Sequence, residues 1–235
     1  MNACLCCPPA GLRRRSVLAA ALACLSAGPA LAAAPAAGPR MAPDQALATL
    51  MQGNARYLGA APQPVAHSAG ARAARAAGQA PFAAILGCAD SRAAPEVLFN
   101  AGLGELFVVR NAGNVADTGA VGSLEYAVAN LGVPLIMVLG HERCGAAEAA
   151  VAVSRSSVSL PPQLGDMLQP MLPSALAAIR AGGDVVEGTV RANVARSAAR
   201  LTEVSPVLSA AVAAGRLRIV GARYDLDDEA VTLMS

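Results

Sequence analysis

Residues 82–92 read FAAILGCADSR, and residues 134–145 read PLIMVLGHERCG. Each stretch opens on a short apolar run, 82–87 and 135–140, and ends at once in side chains that bind metals or move protons. A run with no polar alternation is a strand covered on both faces, which is the habit of parallel sheets. Open α/β sheets gather their chemistry beyond the carboxyl ends of such strands. Cys88, His141 and Cys144 all stand there. His141 and Cys144 are three apart across a strand-to-helix turn, so both can face one point, and Cys88 arrives from the neighbouring strand. Two thiolates and an imidazole form a three-ligand zinc set with a fourth position left open.

The pattern extends outward from these two runs. Residues 105–110 (ELFVVR) read as another strand, followed by the turn Asn111-Ala112-Gly113-Asn114. Residues 217–224 form a further strand, and 230–234 return as its hairpin partner after Asp225-Leu226-Asp227-Asp228. Helical periodicity fills the gaps. It covers 43–59, with Asp44 near its start and an apolar face of Ala46, Leu47, Leu50, Met51 and Leu58. It covers 118–131, with Thr118 as cap and a stripe at Val121, Leu124, Val128 and Leu131. Residues 144–152, 174–181 and 185–214 are also helical, the last interrupted at Pro206, and Pro95 opens a short turn or helix over 93–99. Residues 59–78 read as loop with arginine-alanine helical stretches. In 154–173, Pro161, Pro162, Pro170 and Pro173 break any long helix. Alternating strands and helices predict one α/β domain over 35–235. Its core is a mostly parallel central sheet of four strands plus a C-terminal antiparallel hairpin strand, flanked by helices.

Residues 1–34 stand apart. Arg13, Arg14 and Arg15 precede an apolar run over 17–27, and Ala30-Leu31-Ala32 offers a small-residue cleavage site, with Ala32-Ala33-Ala34 beside it. This is the layout of a signal peptide whose apolar run is too short to span a bilayer. Arg14-Arg15-Ser16-Val17-Leu18 resembles the twin-arginine export signal, with valine where phenylalanine is usual. An ordinary Sec signal is the alternative, and a lipid anchor on Cys24 fits its context poorly. The expected location is the periplasm. The chain carries 18 basic side chains, all arginine, and 16 acidic ones. Without the leader the balance is 15 to 16, which gives no basic surface for nucleic acid or an anionic membrane.

Of six cysteines, Cys4, Cys6, Cys7 and Cys24 fall in the leader. The bland reading of the remaining pair in an oxidising compartment is a disulfide. Their position argues otherwise: each follows an apolar strand and brings polar partners at short spacing. A bound metal would shield both thiols, and the twin-arginine route exports a folded, metallated protein.

Three segments then carry a resemblance. Gly87-Cys88-Ala89-Asp90-Ser91-Arg92, Arg110-Asn111-Ala112-Gly113-Asn114 and Gly140-His141-Glu142-Arg143-Cys144-Gly145 resemble, in order and spacing, the signature segments of β-class carbonic anhydrases. Gly221-Ala222-Arg223-Tyr224-Asp225 resembles the family's last hairpin, while 154–183 carries no motif of it. The resemblance implies one Zn²⁺ per subunit, on Cys88, His141 and Cys144. It implies that Arg92 holds Asp90 beside the metal-bound solvent. It places Gln79, nine residues before Cys88, as a hydrogen-bond donor to substrate. Phe107 and Tyr126 would form an apolar pocket wall, Ala112 takes a place often held by valine, and Gly113 makes a tight turn near the pocket. With no tryptophan in the chain, the bicarbonate lock of some bacterial members is incomplete, so an open, plant-type site is expected.

The implied reaction is reversible hydration of carbon dioxide to bicarbonate and a proton, by attack of zinc-bound hydroxide. A carbonyl sulfide or carbon disulfide hydrolase on the same fold is one alternative. A zinc-binding homologue without turnover is another, although Asp90 and Arg92 argue against it. Ser91 lacks an adjacent base, and His67 reads as a solvated loop residue. Family members associate, so a homodimer or dimer of dimers is expected. The helix from Pro43 has few apolar partners nearby in sequence and is expected to dock on the neighbouring subunit.

Overall fold

The computed structural model describes residues 41–60, 68–156, 158 and 160–234; the expected leader over 1–34 and His67 lie outside them. One sheet organises the described chain. Its strands are β1 (Ala83–Cys88), β2 (Leu106–Asn111), β3 (Leu135–His141), β4 (Arg218–Tyr224) and β5 (Val231–Met234), in the order β2-β1-β3-β4-β5. The first four run parallel and β5 pairs antiparallel with β4, as the sequence predicts. Every residue of β1 and β3 is buried, the mark of central strands covered on both faces. Cys88 stands opposite Asn111, and Gly87 opposite Leu139. Cys88 and His141 therefore leave adjacent strands at nearly the same height.

Helices cover both faces. On one side lie α1 (Pro43–Leu58) and the single turn α3 (Pro95–Leu98), separated in sequence by the surface helix α2 (Ala69–Ala77). This layer packs Leu47, Leu50, Leu98 and Phe99 against Ile85, Met137, Leu139 and Tyr224. On the other side lie α4 (Thr118–Asn130) and, after α5 (Gly145–Arg155), α6 (Pro162–Leu168) and α7 (Leu172–Ala181), the long α8 (Val185–Val204) and α9 (Pro206–Ala213). Leu124, Val194, Leu201 and Leu208 there meet Leu86, Ile136 and Val138. α8 lies very close to the sheet. A Cβ on Gly140 would stand 2.6 Å from Val194 Cγ2, and one on Gly221 2.8 Å from Val194 Cγ1.

Four expectations are corrected. The apolar face of α1 docks on its own sheet: Ala46, Leu47 and Leu50 are buried in the chain's own core. The hydrogen-bond partners of its Asn54 come from 44 to 177 residues away, so no local pattern shows them. Asn54 Nδ2 donates to the Leu98 carbonyl (3.1 Å) and the Glu229 carbonyl (3.2 Å), and its Oδ1 accepts from the Val231 N–H (3.0 Å). Leu58, read as part of the apolar face, is exposed. The cap of α4 is Asp117, whose Oδ1 accepts from the Ala120 N–H at 2.8 Å, and not Thr118. Between 154 and 173, Pro162 sits in the first turn of α6 and Pro170 in a 3₁₀ turn, so these prolines start short helices rather than only breaking long ones.

Gly53 marks the tightest contact of α1. A Cβ there would lie 2.0 Å from the Phe99 carbonyl oxygen. Gly53→Ala is expected to cost about 1–3 kcal/mol through overpacking, read as a drop of several degrees in the thermal melt. A melt identical to the parent would contradict this docking.

Candidate metal centre

Three elements deliver the donors. β1 ends at Cys88, β3 ends at His141, and Cys144 is the residue before α5. The two sulfurs and one imidazole nitrogen lie within 4.8 Å of one another, and all three side chains are buried. Both cysteines are free, so the pair is not a disulfide. His141 Nδ1 is 2.8 Å from the Glu142 carbonyl oxygen. A carbonyl can only accept, so Nδ1 carries the proton and Nε2 presents a lone pair. Nε2 is buried and has no hydrogen-bond partner. An orphaned buried acceptor beside two free thiols suits a metal ion, with the Nδ1 contact fixing the tautomer and ring orientation that such a ligand needs.

The turn between His141 and Cys144 is under constraint. Arg143 has a φ of 46°, a left-handed conformation that is unfavourable for a side chain with a Cβ. The β4–β5 hairpin holds it there. The Glu142 N–H donates to the Tyr224 carbonyl (3.1 Å), and the Glu142 carboxylate accepts from Arg223 and from the Leu226 N–H (3.1 Å). Arg143 forms a two-pronged pair with Asp227 at 2.7 and 3.0 Å. Arg223 also reaches Glu187 on α8 (2.6 Å) and Asp225 (3.0 Å). Oxygens of Glu142, Asp225 and Asp227 cluster as closely as the Cys-His-Cys donors do. Two arginines already occupy them, so this second cluster is an ion-pair network that braces the ligand turn.

The thiols do not share their protons equally. Cys88 is held well below the usual thiol range, first by a hydrogen bond from Cys144 and then, against its burial, by His141 and the N–H groups of Gly113 and Asp90. Cys144 is pushed up by the same Cys88 contact and by burial. Burial works against charge on His141, but the adjacent Cys88 and the Glu142 carbonyl outweigh it and raise its pKa. A cation entering this triad displaces protons.

Asp90 lies beside it. Arg92 grips the carboxylate with both prongs, Nε to Oδ1 at 2.9 Å and Nη2 to Oδ2 at 2.8 Å, and its own N–H adds a third bond to Oδ1 at 2.9 Å. The Arg92 side chain keeps Asp90 well below the usual carboxylate range, so it is ionised at any working pH. Asp90 Oδ2 is 3.8 Å from His141 Nε2.

Other residues named from sequence fall into two groups. Gly113 joins the triad directly: its N–H donates to Cys88 Sγ at 3.3 Å, with a φ of 83° that favours glycine. Ala112 precedes it, half-buried. Gln79 is exposed between α2 and β1, without a hydrogen bond to the triad. Phe107 and Tyr126 form a tilted pair with ring centroids 6.3 Å apart. Phe107 pairs with Ala84, four residues before Asn111 on β2, which puts it about 13 Å along the strand from Cys88. The structure therefore does not bring Gln79, Phe107 or Tyr126 to the ligands of their own chain.

Sequence reasoning missed the residues that brace the loops. Arg110 donates to the Cys88 carbonyl (2.8 Å) and the Asp90 carbonyl (2.6 Å). Asn111 accepts from the Val115 N–H (2.9 Å) and donates to its carbonyl (2.8 Å). Asn193 and Arg223 reach in from α8 and β4. The available signal was chemical: polar side chains on the buried face of α8, and an arginine near the end of β4.

Comparison with known proteins agrees with this geometry. Residues 83–231 match the family model for carbonic anhydrase. Carbonic anhydrase 2 of Mycobacterium tuberculosis is 43% identical over 190 residues, which cover 81% of this chain and 92% of that relative. The chain belongs to the β-class carbonic anhydrases. Among solved structures, the β-carbonic anhydrase CcaA is similar with a TM-score of 0.62 at 26% identity, covering 70% of this chain and 84% of that one. One of two tetrameric β-carbonic anhydrases from Sordaria macrospora follows at 0.61 and 27%, covering 70% and 85%. Membership makes the chain an enzyme, and carbon dioxide and bicarbonate are the substrates of carbonic anhydrases. Among the described residues, no helix is long and apolar enough to cross a membrane.

Cys88→Ser removes one of three donors. Elemental analysis of the purified variant is expected to show most of the bound divalent metal gone, with the parent holding one ion per chain. Full occupancy in the variant would contradict the ligand assignment.

Proposed function

We propose that this chain catalyses the reversible hydration of carbon dioxide to bicarbonate and a proton at a zinc ion held by Cys88, His141 and Cys144. The observation that carries the proposal is the buried, unpartnered His141 Nε2 within 4.8 Å of two free thiol sulfurs, with an ionised Asp90 at its side. Two sulfurs and one nitrogen suit zinc, which accepts mixed soft and borderline donors and, in catalytic sites, takes three protein ligands. When bound, zinc supplies Lewis acidity, which makes water a nucleophile near neutral pH.

The protein's own groups do the rest. Asp90 accepts a hydrogen bond from the attacking water and aims its lone pair at carbon dioxide. Arg92 keeps that carboxylate ionised and holds both of its oxygens, which supports an open resting site. Gly113 N–H draws charge from Cys88 and offsets part of what two thiolates take from a divalent ion. The proton released on hydration passes to buffer.

Gln79, Phe107, Tyr126 and Ala112 shape the substrate pocket, the first three across a subunit boundary. β2 is the outermost strand of its sheet, and Tyr126 is 47% exposed beside Phe107. A homodimer or dimer of dimers covers that edge and carries these side chains to a neighbouring triad. Sedimentation of the purified protein as a monomer would contradict this assembly. Residues 1–34 direct export by the twin-arginine route, so that the folded chain reaches the periplasm with its thiols already on the metal. Finding the protein only in the cytoplasmic fraction of producing cells would contradict it.

Asp90→Ala tests the mechanism. Zinc content is expected to stay near the parent value, while kcat/KM for carbon dioxide in stopped-flow assays falls about 100-fold or more. Unchanged turnover would remove Asp90 from the reaction.

A further inference from the structure

Asn193 is 2% exposed, in the middle of α8 and far from either ligand loop in sequence. Its neighbours on the buried face are Thr189, Val190, Val194 and Ser197. A long amide in such a place needs a partner. It has one 80 residues away: Nδ2 donates to the Gly113 carbonyl oxygen at 2.7 Å.

Gly113 is the residue whose N–H reaches Cys88 Sγ at 3.3 Å. It has no side chain to anchor it, and none fits. A Cβ there would stand 2.3 Å from Met171 Cε and 3.1 Å from Ala146 Cβ. The direction of its N–H is therefore set by backbone partners, and Asn193 holds the opposite end of the residue. The helix that carries Asn193 is itself seated on the sheet, where Val194 presses on Gly140, the residue just before His141. One rigid helix thus references the loop after β2, whose Gly113 N–H reaches Cys88, to the strand that ends in His141.

We infer that Asn193 is a positioning residue of the metal centre: its amide fixes Gly113 so that the Gly113 N–H stays on the Cys88 sulfur and draws charge from it. An N–H donor on a thiolate lowers the energy of the sulfur lone pairs and lessens the charge the sulfur gives to an ion. Without the Asn193 amide, Gly113 turns and the donor leaves. The sulfur then becomes more electron-rich, and the ion is held by a less rigid set of donors. This inference rests on the metal reading above.

The test uses the full-length protein loaded with Co²⁺, and two variants. Asn193→Ala removes the amide. Asn193→Leu keeps its approximate shape and removes the N–H donor. In both, the sulfur-to-cobalt charge-transfer band is expected to move to lower energy, and the zinc dissociation constant from chelator competition to rise about 10-fold or more. A variant that melts lower but keeps the parent's band and zinc affinity would overturn the inference, because Asn193 would then serve the fold alone. Failure of both variants to fold would overturn it for the same reason. A parent protein that takes up no cobalt at all would sink the metal reading itself, which is a different outcome from an unshifted band.

Discussion

Burying three metal donors together constrains everything around them. Cys88, His141 and Cys144 come from the ends of two parallel strands and the start of a helix, and all three are out of water. A buried imidazole nitrogen with no partner and two thiols contesting one proton are unfavourable alone. They are tolerated because the surrounding loops have no freedom to bury them elsewhere. Arg110 fastens the loop after β1, Arg223 and Asp227 fasten the turn after β3, and Asn193 fastens the loop after β2. Each of these clamps ends on a backbone carbonyl or on a side chain next to a ligand, and none touches the donor atoms themselves.

The electrostatics follow from the donor set. Two thiolates would cancel the charge of a divalent ion, so the rest of the site must preserve enough of it to activate water. Gly113 N–H donates to Cys88 Sγ, a contact that would reduce what the sulfur gives to a bound ion. Asp90, although anionic, is neutralised by the two-pronged Arg92 contact, and in the proposed mechanism it would orient a water without adding a free negative charge beside the ion.

The sheet was legible in the sequence because its central strands, 83–88 and 135–141, are buried on both faces and so appear as unbroken apolar runs. The ligands were legible because they sit at the ends of those runs. The docking of α1 was not: Asn54 satisfies carbonyls at Leu98 and Glu229, contacts made by the folded chain and invisible at local range. The Asp117 cap was missed by one residue, since aspartate and threonine both cap well and only geometry chooses between them. Asn193 and Arg223 were hidden for the same reason as Asn54. Periodicity shows which face of an element is buried, but not which distant carbonyl or carboxylate a polar residue on that face will meet. Gln79, Phe107 and Tyr126 were picked out by resemblance, and the fold separates them from the triad of their own chain.

The most direct measurement is zinc X-ray absorption on the purified protein. The account predicts two sulfur scatterers at about 2.3 Å and one nitrogen at about 2.0–2.1 Å, with one light atom completing a four-coordinate shell. A protein without zinc, whose mass instead shows Cys88 and Cys144 joined as a disulfide, would contradict it.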